Sequence, residues 1–141
     1  MLEIALEVYT FDIDFAGHVS NISYIKWLEI GRLHLLAAAG WPVIEAMAQG
    51  VVPILASTQI RYRKPIKLGD RVRLDVGISE LGRASATMGF AVHAGEHLAA
   101  TATQTGLFVN AGTGRPHRLS ESERASFLPF VTPADQPPPT R

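Results

Sequence analysis

The chain contains no cysteine. That absence excludes a disulfide framework, a thiolate zinc site and a cysteine nucleophile together, and it fits a reducing, cytoplasmic compartment. Net charge is missing as well, because thirteen basic residues balance thirteen acidic ones. Without a general positive field, neither nucleic acid nor an anionic membrane is an expected partner. No apolar run approaches the roughly 20 residues that span a bilayer. The start, Met1-Leu2-Glu3-Ile4-Ala5-Leu6-Glu7-Val8, carries acids where a signal peptide would carry bases. Asn21-Ile22-Ser23 matches a glycosylation sequon, but without a secretory signal it is expected to stay unmodified. His34, His93, His97 and His117 have no paired ligand spacing, so no metal is expected. Gly112-Thr113-Gly114 lacks the frame of a dinucleotide or phosphate loop, and no Gly-x-Ser-x-Gly elbow occurs. Nucleotide hydrolysis and serine-hydrolase chemistry drop out, and no cofactor is expected.

What remains is a chain of 141 residues, 47% hydrophobic and 18% charged. That is the size and polarity of one well-buried domain. We expect it to occupy residues 1–130, followed by a Pro-rich flexible tail over 131–141.

Leu2, Ile4, Leu6 and Val8 alternate with Glu3, Ala5, Glu7 and Tyr9, the period of a strand with one apolar row. From Asn21 to Ala39 the period becomes helical. Ile22, Ile25, Leu28, Leu35 and Leu36 are its expected apolar face, and its alanine-rich end reads as largely buried. Gly40, Trp41 and Pro42 end that helix, and a shorter one is expected over Val43 to Gln49. The rest is strand-like. Ile60 and Tyr62 alternate with Arg61 and Arg63; Val72, Leu74, Val76 and Ile78 follow a Leu68-Gly69-Asp70 turn. Ala84 to Val92 and His97 to Val109 give two further strands around Gly95. Ser120-Glu121-Ser122-Glu123 has the spacing of a capping box for a short last helix. The outline is α+β: a strand, one long helix, then an antiparallel sheet of about four long strands. One helix cannot cover that sheet's rim, so dimerisation through the sheet is expected.

The chemistry concentrates ahead of the long helix, in Asp12-Ile13-Asp14-Phe15-Ala16-Gly17-His18-Val19-Ser20-Asn21. A carboxylate with an intrinsic pKa of about 3.9 is ionised at neutral pH and can deprotonate water or attack a carbonyl. The same acids could instead form Asx turns and a helix cap. A helix start about seven residues past Asp14 supplies unpaired N–H groups and a positive dipole end, so the backbone N–H of Asn21, or of a close neighbour, is the expected oxyanion donor.

This stretch, with Tyr24, Trp27 and Glu29 after it and Arg63-Lys64-Pro65-Ile66-Lys67-Leu68-Gly69-Asp70 further on, resembles the hotdog-fold thioesterases. The branch it is similar to is that of 4-hydroxybenzoyl-CoA thioesterase and the YbgC-like enzymes. The resemblance implies a hotdog fold, an antiparallel sheet wrapped around one long central helix. It implies hydrolysis of an acyl-CoA thioester, with Asp14 as the catalytic carboxylate, either general base or nucleophile. Ser23 departs from the pattern, which commonly has Asn before the Tyr. Gly17, His18 and Tyr24 are substrate-binding candidates; Asp12 reads as structural. Glu29 could be an alternative acid, but Lys26 and Arg32 lie where they would pair with it.

Arg61, Arg63, Lys64, Lys67, Arg71 and Arg73, against Asp70, form a local excess of positive charge. Arg61, Arg63 and Lys64, with Arg83, are candidates to dock the phosphates of coenzyme A, although alternating arginines also solvate an outer sheet face. The alternatives are a non-catalytic acyl-CoA binding or sensing domain, an acyl-carrier-protein thioesterase, and a hydratase sharing proton transfers between Asp14 and His18. The expected assembly is a homodimer or a dimer of dimers.

Overall fold

A computed structural model describes residues 1–132. The Pro-rich stretch read from the sequence as a tail falls, from Pro133 onward, outside the described residues. Strand β1 (Leu2–Leu6) leads through a 3-10 turn at Thr10–Asp12 to helix α1 (Asn21–Ala38) and the short α2 (Val43–Ala48). Four long strands follow: β2 (Val51–Tyr62), β3 (Val72–Leu81), β4 (Ser85–Ala94) and β5 (His97–Asn110). Helix α3 (Glu121–Phe127) closes the described chain, and Val131 then bridges to Ile78 beside β3.

The strands form one five-stranded sheet in the order β1-β3-β4-β5-β2, and each neighbouring pair is antiparallel. Strand β2 is therefore an edge. Its first half falls in the stretch expected to be strand-like, but Val51-Val52-Pro53-Ile54-Leu55 shows no alternation that would mark its bounds or its faces. Pro53 lacks a backbone donor, and an edge strand is where a sheet accepts it. Leu74, Val76 and Ile78 of β3 and Met88, Phe90 and Val92 of β4 are buried, as their period of two requires.

Helix α1 buries Tyr24, Trp27, Leu28, Gly31, Leu35 and Leu36. These positions recur at three and four residues, and burying a side chain such as Leu28 or Leu35 stabilises the fold by about 1.5–3 kcal/mol. The expected face is corrected here: Ile22 and Ile25 are 66% and 42% exposed, and Ala37 and Ala38 at the helix end are exposed too. The sequence offers two apolar stripes, and Gly31 decides between them. A Cβ at Gly31 would stand 2.7 Å from Leu74 Cδ2 and 3.2 Å from Phe90 Cε1, so the missing side chain lets the helix backbone lie close against β3 and β4. Among the described residues, no helix is long and apolar enough to cross a membrane.

Candidate active site

The segment between β1 and α1 is a closed loop. Ile13 bridges Val19 in antiparallel fashion, the Asp14 N–H donates to the His18 carbonyl at 2.8 Å, and the Gly17 N–H donates to the Asp14 carbonyl at 3.0 Å. Gly17 has φ +79°, a left-handed conformation that glycine adopts without a Cβ clash. Within the loop, Asp14 Oδ1 accepts from the N–H groups of Ala16 at 2.9 Å and His18 at 3.3 Å. Its Oδ2 has no donor among the described residues. One carboxylate oxygen thus holds the loop while the other is available to a substrate or a water.

Helix α1 starts directly after this loop. Ser20 is the N-cap, with its hydroxyl accepting from the Ser23 N–H at 3.4 Å. The N–H groups of Asn21 and Ile22 find no acceptor among the described residues, as the geometry of a first helical turn dictates. The Val19 N–H donates to the Ile66 carbonyl at 2.8 Å, tying the loop to the segment after β2.

Both parts open on one cleft of about 350 Å³, lined by Asp14, His18, Val19, Asn21, Tyr24, Tyr62, Arg63, Lys64 and Pro65. Tyr62 donates its hydroxyl to Asn21 Oδ1 and meets Tyr24 edge-on, ring centres 5.1 Å apart. Burial, with a smaller contribution from Tyr62, pushes the Tyr24 phenol up to about 12, and burial raises that of Tyr62 as well. Both hydroxyls are protonated donors at neutral pH. The cleft combines an accessible carboxylate oxygen, open helix N–H groups and flanking cations. That set can activate water or attack a carbonyl, stabilise charge on an oxygen and hold an anionic ligand.

Of the residues singled out in the sequence, Asp14, His18, Asn21, Tyr24, Arg63 and Lys64 meet in this cleft, and Gly17 shapes the turn beneath it. Arg61 is exposed on β2 opposite Thr101 and does not line the cleft. Arg83 lies in the β3–β4 connection, where its carbonyl accepts from the Leu119 N–H at 2.8 Å, and it does not line the cleft either. Glu29 pairs with Arg32 at 3.7 Å, and Arg32 also donates to Gln104 Oε1 at 2.9 Å, so the helix-borne acid takes its salt-bridge reading. Asp12 is buried and structural. Tyr62 was missed. Its alternation with Ile60 read as a core row, and only the pairing of β2 with β5 as an edge brings its ring to the helix start.

A family model described as "Thioesterase-like superfamily" matches residues 8–132 of the chain. The chain is 26% identical over 113 residues to the Bacillus subtilis (strain 168) protein named "Putative acyl-CoA thioesterase YneP", a match covering 79% of this chain and 81% of that one. Among solved structures, a thioesterase complexed with coenzyme A and Zn from Thermus thermophilus superposes with a TM-score of 0.79 at 26% identity, covering 91% and 92% of the two chains. The DHNA-CoA thioesterase from Staphylococcus aureus superposes with a TM-score of 0.78 at 19% identity, covering 83% and 79%.

Proposed function

The chain belongs to the thioesterase-like superfamily, and from that premise we propose that it hydrolyses an acyl-CoA thioester to the free acid and coenzyme A. The observation that carries this reading is that one cleft holds both the free Oδ2 side of Asp14 and the unpaired N–H of Asn21. Asp14 either takes a proton from the water that attacks the thioester carbon or attacks that carbon itself, to be released by water in a second step. In both routes the carbonyl oxygen gains negative charge, and the Asn21 N–H at the positive end of α1 donates to it. The carbon–sulfur bond then breaks and the sulfur leaves as thiolate. A thiol with a pKa of about 8.5 needs little help to do so, which agrees with a cleft built around one carboxylate.

Gly17, His18 and Tyr24 border the acyl and pantetheine path, and Arg63 and Lys64 receive the phosphates of the carrier. Arg61, on the same strand end, stands further from the cleft, and we assign it a secondary phosphate contact; Arg83 lies at the other end of the sheet, where Ser85 stands opposite Leu107 and Leu107 opposite Ile54, and is left out of the phosphate site. The sheet is read as wrapping α1 as its central helix. Strand β2 exposes Ile54, Leu55 and its outer backbone edge, so we assign a homodimer, or a dimer of dimers, joined through β2.

The deciding experiment is thiol release from a panel of short, long and aromatic acyl-CoAs by the wild type and Asp14→Asn. Turnover that falls by about 10²–10⁴-fold in a folded Asp14→Asn is expected. Undiminished turnover in Asp14→Asn would remove Asp14 from the mechanism. A wild type silent across the panel would exclude acyl-CoA hydrolysis and redirect the search to acyl carrier proteins or to ligand sensing.

A further inference from the structure

Asp12, two residues before the acid, is buried at 5% exposure, and both of its carboxylate oxygens are occupied. Oδ1 accepts from the Ser23 hydroxyl at 2.7 Å in a buried contact, and Oδ2 accepts from the Tyr9 N–H at 2.8 Å. The Asp12 backbone carbonyl accepts from the N–H of Ser20, the N-cap of α1, at 2.8 Å. One residue therefore binds the 3-10 turn before the loop, the residue that caps the helix, and the helix's first turn.

Ser23 is the third residue of α1, the position where a capping box would place a Glu or Gln reaching back to the N-cap N–H. Here that N–H belongs to the Asp12 carbonyl, and the side chain at the third position belongs to the Asp12 carboxylate. The Ser20 hydroxyl still caps the Ser23 N–H, but the reciprocal half of the box is replaced by a link from the helix to the far base of the loop. Everything between the two anchors is the loop that carries Asp14, with the open N–H groups of Asn21 and Ile22 just beyond Ser20. A carboxylate removed from water needs its partners, and Oδ1 has one side-chain donor here.

We propose that the Asp12–Ser23 pair is a positioning clamp that fixes the Asp14 loop in register with the N–H groups at the start of α1. It acts through those two groups and touches no reacting atom. The proposal rests on the thioesterase reading given above for its catalytic consequence, although not for its structural one. A clamp of this kind acts on the transition state, where carboxylate and N–H groups must face the same carbonyl, more than on the binding of the carrier.

The test compares wild type, Ser23→Ala and Ser23→Thr by steady-state thiol release and by amide hydrogen exchange over the 13–22 segment. In Ser23→Ala, kcat is expected to fall by about tenfold to a hundredfold with KM changed less than about twofold. Ser23→Thr keeps the hydroxyl and is expected to restore most of kcat. Exchange at the N–H groups of Asp14, Gly17 and Val19 is expected to quicken in Ser23→Ala, while that of β3 and β4 is unchanged. Unchanged kcat and exchange in Ser23→Ala would overturn the proposal, as would equal losses in the alanine and threonine variants. If the wild type turns over no thioester, the reaction assignment fails separately, and the exchange comparison still upholds or overturns the clamp.

Discussion

Replacing Gly31 by alanine tests the claim that this residue sets how closely α1 approaches the sheet. At an exposed helical site the change would stabilise by about 1 kcal/mol, because glycine is the poorer helix former. At this site the new methyl would stand 2.7 Å from Leu74 Cδ2 and 3.2 Å from Phe90 Cε1, and Leu74 and Phe90 are 0% and 3% exposed. Neither side chain has solvent to move into. Overpacking a filled core costs about 1–3 kcal/mol, and a contact this short belongs at the upper end. The net expectation is a loss of about 2 kcal/mol. At roughly 2 cal/mol/K of unfolding entropy per residue, that lowers the midpoint by about 7 °C. The assay is thermal unfolding followed by circular dichroism at one fixed protein concentration, since association would otherwise move the midpoint. Leu74→Val removes the nearest atom at a cost of about 1 kcal/mol on its own. Combined with Gly31→Ala, it should destabilise by less than the sum, with a coupling of about 1 kcal/mol. A raised midpoint in Gly31→Ala, or strict additivity in the pair, would refute the reasoning.

Two further outcomes are expected. Burial pushes the Glu123 carboxyl up, but the Ser120 N–H, the His117 imidazole and the Ser120 hydroxyl together hold it below its ordinary value of 4.5. The contribution of a carboxylate lowered in this way is complete above that ordinary value and is lost as pH falls through the folded one. The unfolding midpoint of the wild type should therefore decline more steeply than that of Glu123→Gln between about pH 5 and pH 3, and parallel curves would contradict the assignment. At the edge of the sheet, Leu55 is 40% exposed on β2. Leu55→Asp should convert the proposed β2-joined dimer to monomer in sedimentation velocity at micromolar concentration, and a wild type already monomeric there would count against the β2 interface.

The strands were legible wherever one face is buried. Val72 to Ile78 and Ala84 to Val92 alternate because one row meets α1 and the other does not. Strand β2 escaped that logic over its first half because, as an edge, it leaves Ile54, Leu55, Ala56 and Ser57 exposed in succession and has no dry face to impose a period. The helix was legible in extent but not in orientation. Ile22 and Ile25 are as apolar as the buried stripe, and what turned the helix was the absence of a side chain at Gly31, which no hydrophobicity pattern records. In the site, Asp14, His18 and Asn21 were readable because they lie close together in sequence, on one loop and the helix start that follows it. Tyr62 was not, because its place depends on the pairing of β2 with β5.

That division also describes how the site must assemble during folding. The Asp12–Ser23 contact closes over 11 residues, and loops of about that length close in roughly 10–100 ns. Tyr62, Arg63 and Lys64 reach the cleft through the pairing of β2 with β5, in which Tyr62 stands opposite Ala100 and the N–H groups of Arg63 and Lys64 donate to the Ala99 carbonyl. Pairing at that sequence separation carries a larger closure entropy and forms later. The carboxylate and its helix can therefore take shape in a chain whose ligand-facing wall does not yet exist.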